Sequence, residues 1–274
     1  MARPYPAPTA ALLADVLSAR QRTISSMNAR VRATSWLGGD RVRATVLMLV
    51  DRPGRLRFEA EVSLQGTVAM LATDGRRFAF LDMMKNEMRS GPACPANVAS
   101  LIRIPLGPAD VAAILLADAR LPTGTNAADG VVDWDPTQAA DVLAVRRNDG
   151  WLRVLFHDAG QGGVGDLAAR LRIVGAIATG PDGRVRWRVA YEDFVDVSLG
   201  GETTESPASK ARVSLPQTIR FAEGDASFDE GVEIKFKERT LNDPPADSAF
   251  ALSPAAGTTI VEVGCPVGGV SARP

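Results

Sequence analysis

Few residues in this sequence are able to do chemistry, and they are widely spaced. His157 is the only histidine. A metal site built on paired imidazoles is therefore excluded, and His157 reads as an ordinary strand residue. No Gly-x-Ser-x-Gly elbow, phosphate-cradling Gly-Lys-Ser/Thr loop or dinucleotide fingerprint occurs. The run Gly160-Gln161-Gly162-Gly163-Val164-Gly165 opens no helix after a parallel strand and reads as a loop. Asp133 with Asp135, and Glu192 with Asp193, read as solvated loop or edge carboxylates rather than acid–base couples. The two cysteines, Cys94 and Cys265, each precede a proline. Buried thiols and a single disulfide in an oxidising compartment are both open readings at this point. Methionine says more. Met27, Met48, Met70, Met83, Met84 and Met88 all fall in the first half. Unbranched, polarisable side chains adapt to variable apolar partners, although any large core uses some of them.

The elements that must position these residues begin with a run of strands. From Val31 to Met84 the chain reads as four or five antiparallel strands joined by tight turns. Arg55 to Val62 alternates polar and apolar without a fault. Before it, Val42, Ala44, Val46, Met48 and Val50 share one face, with Leu47 and Leu49 on the other. After it, Thr67–Thr73 and Arg77–Met83 continue the sheet. Pro53-Gly54 and Asp74-Gly75 sit at the hairpin turns. A sheet with apolar centres on both faces must be covered twice, and one of the covers could be a ligand.

Upstream, Thr9 is placed to cap a helix whose apolar stripe runs through Leu12, Leu13, Val16, Leu17, Ile24 and Met27. This helix is expected to lie across the sheet that follows. Downstream, Pro95–Arg103 and Ala109–Ala117 are short apolar helices, the second opened by Pro108. Both are expected to act as a lid. Thr123–Thr137 reads as a polar loop. Further strands are predicted at Asp141–Arg147, Trp151–Asp158, Arg170–Thr179, Arg184–Val195, Thr218–Ala222 and Gly231–Arg239. Ser198–Lys210 reads as a mobile loop and the segment after Cys265 as a disordered tail. The fold class is α+β: one large curled antiparallel sheet of about ten or eleven strands by this pattern. An N-terminal helix and short lid helices complete it. No composition break divides it, so a flexible tether over 1–8, one domain over 9–265 and a tail over 266–274 are expected.

Composition narrows the function classes. The 274 residues are 46% hydrophobic and 23% charged, with a net charge of −1. That balance gives no electrostatic support to nucleic-acid binding. No apolar run approaches the roughly 18 residues of a bilayer-spanning helix. Met1 followed by Ala2-Arg3-Pro4-Tyr5-Pro6-Ala7-Pro8 resembles an expression start placed inside a Pro-rich tether.

Gly66 to Pro122 resembles the LolA/LolB superfamily of bacterial lipoprotein carriers, particularly its outer-membrane receptor branch. The matching features are Ser63-Leu64-Gln65-Gly66 leading into Thr67–Thr73, then Asp74-Gly75. Ile104-Pro105-Leu106 and its helix follow, ending in Leu115-Leu116-Ala117-Asp118-Ala119-Arg120-Leu121-Pro122. Asp149-Gly150-Trp151, Pro216-Gln217-Thr218-Ile219 before Val232–Lys237, and Leu241-Asn242 with Phe250-Ala251-Leu252 and Pro254 fall in the family's order.

The resemblance implies that this sheet is a strongly curved, unclosed antiparallel half-barrel, whose N-terminal helix and short lid helices plug its mouth and enclose an apolar cavity for acyl chains. It implies non-enzymatic binding of lipid or lipoprotein acyl chains for transfer to the outer membrane, with no cofactor. The side chains expected at the cavity are Val46, Met48, Phe58, Val68, Met70, Phe80, Leu101, Ile114 and Leu115. Leu64 corresponds to the receptor's membrane-touching tip. Met1 would stand where the receptor has its lipidated cysteine, at the periplasmic face of the outer membrane. Expected partners are acyl chains, the outer-membrane surface and a periplasmic lipoprotein carrier, with the chain itself a monomer. An exported protein would oxidise Cys94 and Cys265 to a disulfide. Two alternatives remain: an envelope interaction or sensing module carrying no lipid, and a hydrolase whose Ser or Asp groups converge on His157.

Overall fold

The computed structural model describes residues 2–37, 40–62, 65–121, 129–160, 166–200 and 211–266. Its elements are α1 (Ala10–Thr23), β1 (Ser26–Leu37), β2 (Asp40–Asp51), β3 (Arg55–Val62), β4 (Gly66–Thr73), β5 (Arg77–Asp82) and β6 (Glu87–Pro92). Next come α2 (Pro95–Ile102), α3 (Pro108–Leu115), β7 (Val131–Asp135), β8 (Ala140–Arg147), β9 (Gly150–Asp158) and α4 (Leu167–Arg170). The chain closes with β10 (Leu171–Thr179), β11 (Val185–Ser198), β12 (Arg212–Glu223), β13 (Val232–Leu241) and β14 (Thr259–Glu262).

Hydrogen bonding orders the strands β14-β6-β5-β4-β3-β2-β1-β13-β12-β11-β10-β9-β8-β7. This is the expected α+β class with an unclosed sheet. It holds fourteen strands where about ten or eleven were expected by pattern. The additions are β6, β7 (inside the segment read as a polar loop) and β14. Only β14 joins its neighbour, β6, in parallel among the registered pairs.

Chain contacts gather into two units. The larger holds residues 24–116, 196–213 and 232–274, and the smaller holds 1–23, 117–195 and 214–231.

In the larger unit, β1 to β5 form a meander whose register follows the alternation of the sequence. Val46 pairs with Ala60, Met48 with Phe58 and Val50 with Leu56, so these apolar residues share one face. On the same face Val31 lies beside Val46, Ala29 beside Met48 and Met27 beside Val50. The β2–β3 turn contains Gly54, where a Cβ would meet the backbone nitrogen of Ala109 at 2.8 Å. Glycine there lets the start of α3 seat against the turn. α3 packs on β2 and β3 and is buried at Val111, Ala112, Ala113, Ile114 and Leu115. α2 packs on β4 and β5. The opposite face receives the segment around Phe250: Arg57 donates to the Ala249 carbonyl at 2.9 Å, and the Arg55 guanidinium lies 4.8 Å from the Phe250 ring centre. In the β4–β5 turn, the Asp74 carboxylate accepts from the backbone N–H groups of Arg77 and Arg76, which hold its pKa below the usual value.

Cys94 and Cys265 form a disulfide across 171 residues, with Cα atoms 6.1 Å apart, inside the ordinary range for such a bridge. Beside it, β14 runs along β6. A Cβ on Gly91 of β6 would lie 2.1 Å from the Val263 carbonyl oxygen, so only glycine admits this close approach.

In the smaller unit, Thr9 caps α1 by accepting from the Leu12 N–H at 3.1 Å. α1 does not continue through Ile24 and Met27. It ends at Thr23, and Met27 is a β1 residue paired with Val50 and Leu241. α1 contacts α4, buries Leu13 and Leu17, and binds residues of its own unit: Arg20 donates to the Ala117 carbonyl at 2.7 Å and Gln21 to that of Ala119 at 3.3 Å. The carboxylate of Asp141, on a residue with 0% exposure, takes hydrogen bonds from Arg3 and from the Tyr5 hydroxyl, both at 2.8 Å. Burial, and then the neighbouring carboxylate, push the Tyr5 phenol pKa upward. These contacts hold two side chains of the segment read as a tether. The core face of this unit is filled by Leu143 beside Val154, Val145 beside Leu152, and Phe156 beside Ile173.

Candidate functional site

The inner face of the larger unit's sheet changes character along its strands. Near the β2–β3 turn one cross-strand row reads Leu241, Met27, Val50, Leu56, Thr73. The next reads Ala29, Met48, Phe58, Leu71. Further along, a row reads Phe236, Val31, Val46, Ala60, Ala69, and beyond it Ile234, Ala33, Ala44. Alanines replace the large residues. Where they do so, a cavity of about 260 Å³ opens, bounded by these strands and by Ser100, Leu101, Ile102 and Arg103 at the end of α2.

A β-bulge refines this wall. Ala60 pairs with Ala69 but Glu61 pairs with Thr67, leaving Val68 as the extra residue of β4. A bulge leaves its extra residue unpaired and shifts the inward–outward alternation across it. Val68 lines the cavity beside Ala69, and its carbonyl accepts from the Met83 N–H at 3.0 Å. At the mouth, Val42 and Val62 line the cavity while 51% and 41% exposed. Apart from Thr34, Ser35, Arg43, Ser100 and Arg103, the lining residues are apolar, and none of the described ones is acidic.

Of the side chains named from sequence, Val46, Met48, Val68 and Leu101 stand at the cavity. Phe58, Ile114 and Leu115 lie in the packed core, exposed by no more than 2%. Phe80 pairs with Leu71, on the row of Phe58. Met70 pairs with Glu59 and Leu81 on the opposite face, because the bulge lies between it and Thr67. Leu64 lies outside the described residues, as do Gln161–Gly165. Sequence reasoning missed Ala33, Ala44, Ala60 and Ala69. Their signal was available: each is an alanine at an inward position on one of four neighbouring strands, where a packed core would carry a large residue.

His157 is exposed on β9, opposite Arg172 of β10. No group of three metal-ligating side chains occurs among the described residues, and none of their helices is long and apolar enough to cross a membrane.

No family model matches this chain, and no curated protein matches it. Solved structures do. A DUF1329 family protein from Desulfovibrio piger superposes with a TM-score of 0.54 at 10% identity, over 90% of this chain and 98% of that one. A putative outer membrane lipoprotein-sorting protein domain from Vibrio parahaemolyticus gives 0.52 at 8% identity, over 88% and 95%. A LolA superfamily protein from Nitrosomonas europaea gives 0.52 at 14% identity, over 90% and 99%. Identities this low speak to the fold alone, and that agreement runs over about nine-tenths of the chain: the protein has the fold of the LolA superfamily.

Proposed function

We propose that the larger unit is a non-enzymatic binder of acyl chains, serving lipid or lipoprotein transfer at the inner face of an outer membrane. The observation that carries this reading is the open apolar cavity of about 260 Å³ among Ala33, Ala44, Val46, Ala60, Val68 and Leu101. A cavity of about 150 Å³ accommodates benzene, so by proportion this one accepts on the order of ten carbon atoms. At about 0.8 kcal/mol per buried CH₂, such a chain gains roughly 8 kcal/mol before ordering costs. Met48 in the wall adds a side chain that adjusts to different chains. The names of two fold neighbours, a lipoprotein-sorting domain and a LolA superfamily protein, accord with this reading and motivate the envelope setting. The receptor-like refinements belong to the same proposal: Leu64 at a membrane-touching tip, a lipid anchor ahead of the chain, and a periplasmic carrier as partner.

The test is uptake of a fluorescent fatty acid by delipidated protein, with mass spectrometry of lipid extracted from the protein as first purified. Saturable uptake that is abolished by Val46→Asp supports the proposal. A folded wild type that takes up no probe leaves the interaction or sensing module as the better reading.

A further inference from the structure

The lining of the cavity has a single sign of charge. Its charged residues are Arg43 and Arg103, with no Asp or Glu among the described ones. Strand alternation separates the two arginines. Arg43 pairs with Thr34, between the cavity-facing pairs Val42–Ser35 and Ala44–Ala33, so its side chain leaves on the other face. Arg103 remains.

Arg103 is the C-cap of α2 and has φ 55°, ψ 31°. Left-handed backbone at a C-cap is normally taken by glycine, because a Cβ there is strained. Here an arginine takes it, donating its backbone N–H to the Ala99 carbonyl at 3.0 Å. The side chain is exposed and, among the described residues, has no ion pair or side-chain hydrogen bond. Leu101 and Ile102, immediately before it, line the apolar interior. Arg103, exposed and permanently charged, thus belongs to the lip of an apolar hole, with no acidic partner among the described lining residues. A guanidinium so placed matches a carboxylate or a phosphate monoester, each able to accept two hydrogen bonds from it.

We infer that the ligand is a single-chain amphiphile with an anionic headgroup: the chain enters between Val42, Val62 and Val68, and the headgroup meets Arg103. The inference rests on the acyl-chain reading above and adds the headgroup class to it. It also gives the left-handed cap a purpose, since strained backbone concentrates where a side chain must be aimed.

The experiment uses full-length, delipidated protein in low-salt buffer and displacement of the neutral dye N-phenyl-1-naphthylamine. The displacing ligands are decanoate, decyl phosphate and 1-decanol. The expected result is that decanoate, decyl phosphate or both displace the dye at least tenfold more tightly than decanol. The tighter anion tells a carboxylate from a phosphate source. Arg103→Gln should erase that preference while leaving decanol and dye affinities within twofold, which shows the cavity intact. Equal displacement by all three ligands overturns the headgroup inference and leaves acyl-chain binding standing. An anion preference that survives in Arg103→Gln overturns the assignment to this residue. A folded wild type that binds neither the dye nor any of the chains overturns both readings.

Discussion

The two ends of one sheet face differ more than any two strands do. Towards the β2–β3 turn, Met27, Val50, Leu56, Phe58 and Leu71 are buried to within 1%, and α3 packs on β2 and β3. Towards the other end, the same four strands carry Ala33, Ala44, Ala60 and Ala69, and space remains. Strand pairing, twist and alternation are common to both ends. What differs is side-chain volume in successive cross-strand rows. A native core leaves few voids larger than a water molecule, because empty space forfeits dispersion contacts. The hollow end therefore withholds stability that the packed end supplies, and binding a chain there would restore the lost contacts.

Removing the disulfide should have the largest effect on this contrast. Bridging 171 residues contributes up to about 5 kcal/mol in the chain-entropy model. The bridge pins the start of α2, whose far end closes the cavity, whereas α3 is held by burial along its whole length. Cys94→Ala with Cys265→Ala should lower the urea midpoint and raise amide exchange in α2 more than in α3. Equal loss of protection in the two helices would mean that they form one cover rather than two.

Phe58→Ala comes next. It deletes a fully buried ring from the packed row, and such truncations cost about 3–5 kcal/mol. Denaturant unfolding should show that loss with an unchanged slope. A cost below about 1 kcal/mol would place slack at the end described as packed.

How much of this contrast was legible in the sequence follows from what sets each feature. The faces of β2 and β3 were, since five alternating apolar residues leave one way to bury them. So were Thr9 as a cap, the two hairpin turns and both short helices, because local chemistry decides them. β14 was not. All four of its residues are exposed, and backbone pairing with β6 and the bare Gly91 hold it in place. Met70 could not be placed, because a bulge at Val68 changes which face the residues on one side of it occupy, and no residue type signals it. Met27 misled by spacing. It lies three residues after Ile24, which suits a helix, yet it serves β1, where cross-strand neighbours Val50 and Leu241 bury it. The cavity was read from large side chains, of which Val46, Met48, Val68 and Leu101 do line it, whereas the alanines that open it were not read.

Filling the hollow end should reverse the usual cost of core substitution. Ala60→Leu adds volume where the cavity lies, so stability should change by less than about 1 kcal/mol in either direction, against the 1–3 kcal/mol typical of overpacking. Uptake of a ten-carbon chain should fall at least tenfold. If stability drops by the overpacking amount while uptake persists, the chain binds somewhere else, and the alanine rows are only a loosely packed core.

The smallest expected change in stability, and the one that would tie the hollow end to a membrane, is at Leu64. It lies two residues after Val62, which lines the cavity mouth while 41% exposed, as Val42 does while 51% exposed. An apolar residue beyond an apolar lip in the sequence would let the mouth meet a lipid surface without crossing it. Leu64→Glu should then weaken flotation with anionic vesicles several-fold. The melting temperature should move by no more than a degree or two, since a residue with no role in the core changes stability by about 0.5 kcal/mol or less. Phe58→Ala, at the packed end, should lower stability and leave vesicle binding of the folded protein unchanged. If the two variants behave alike in both assays, the ends of the sheet are not specialised. If Leu64→Glu instead costs several kcal/mol of stability with vesicle binding intact, Leu64 belongs to the core and the membrane meets another surface.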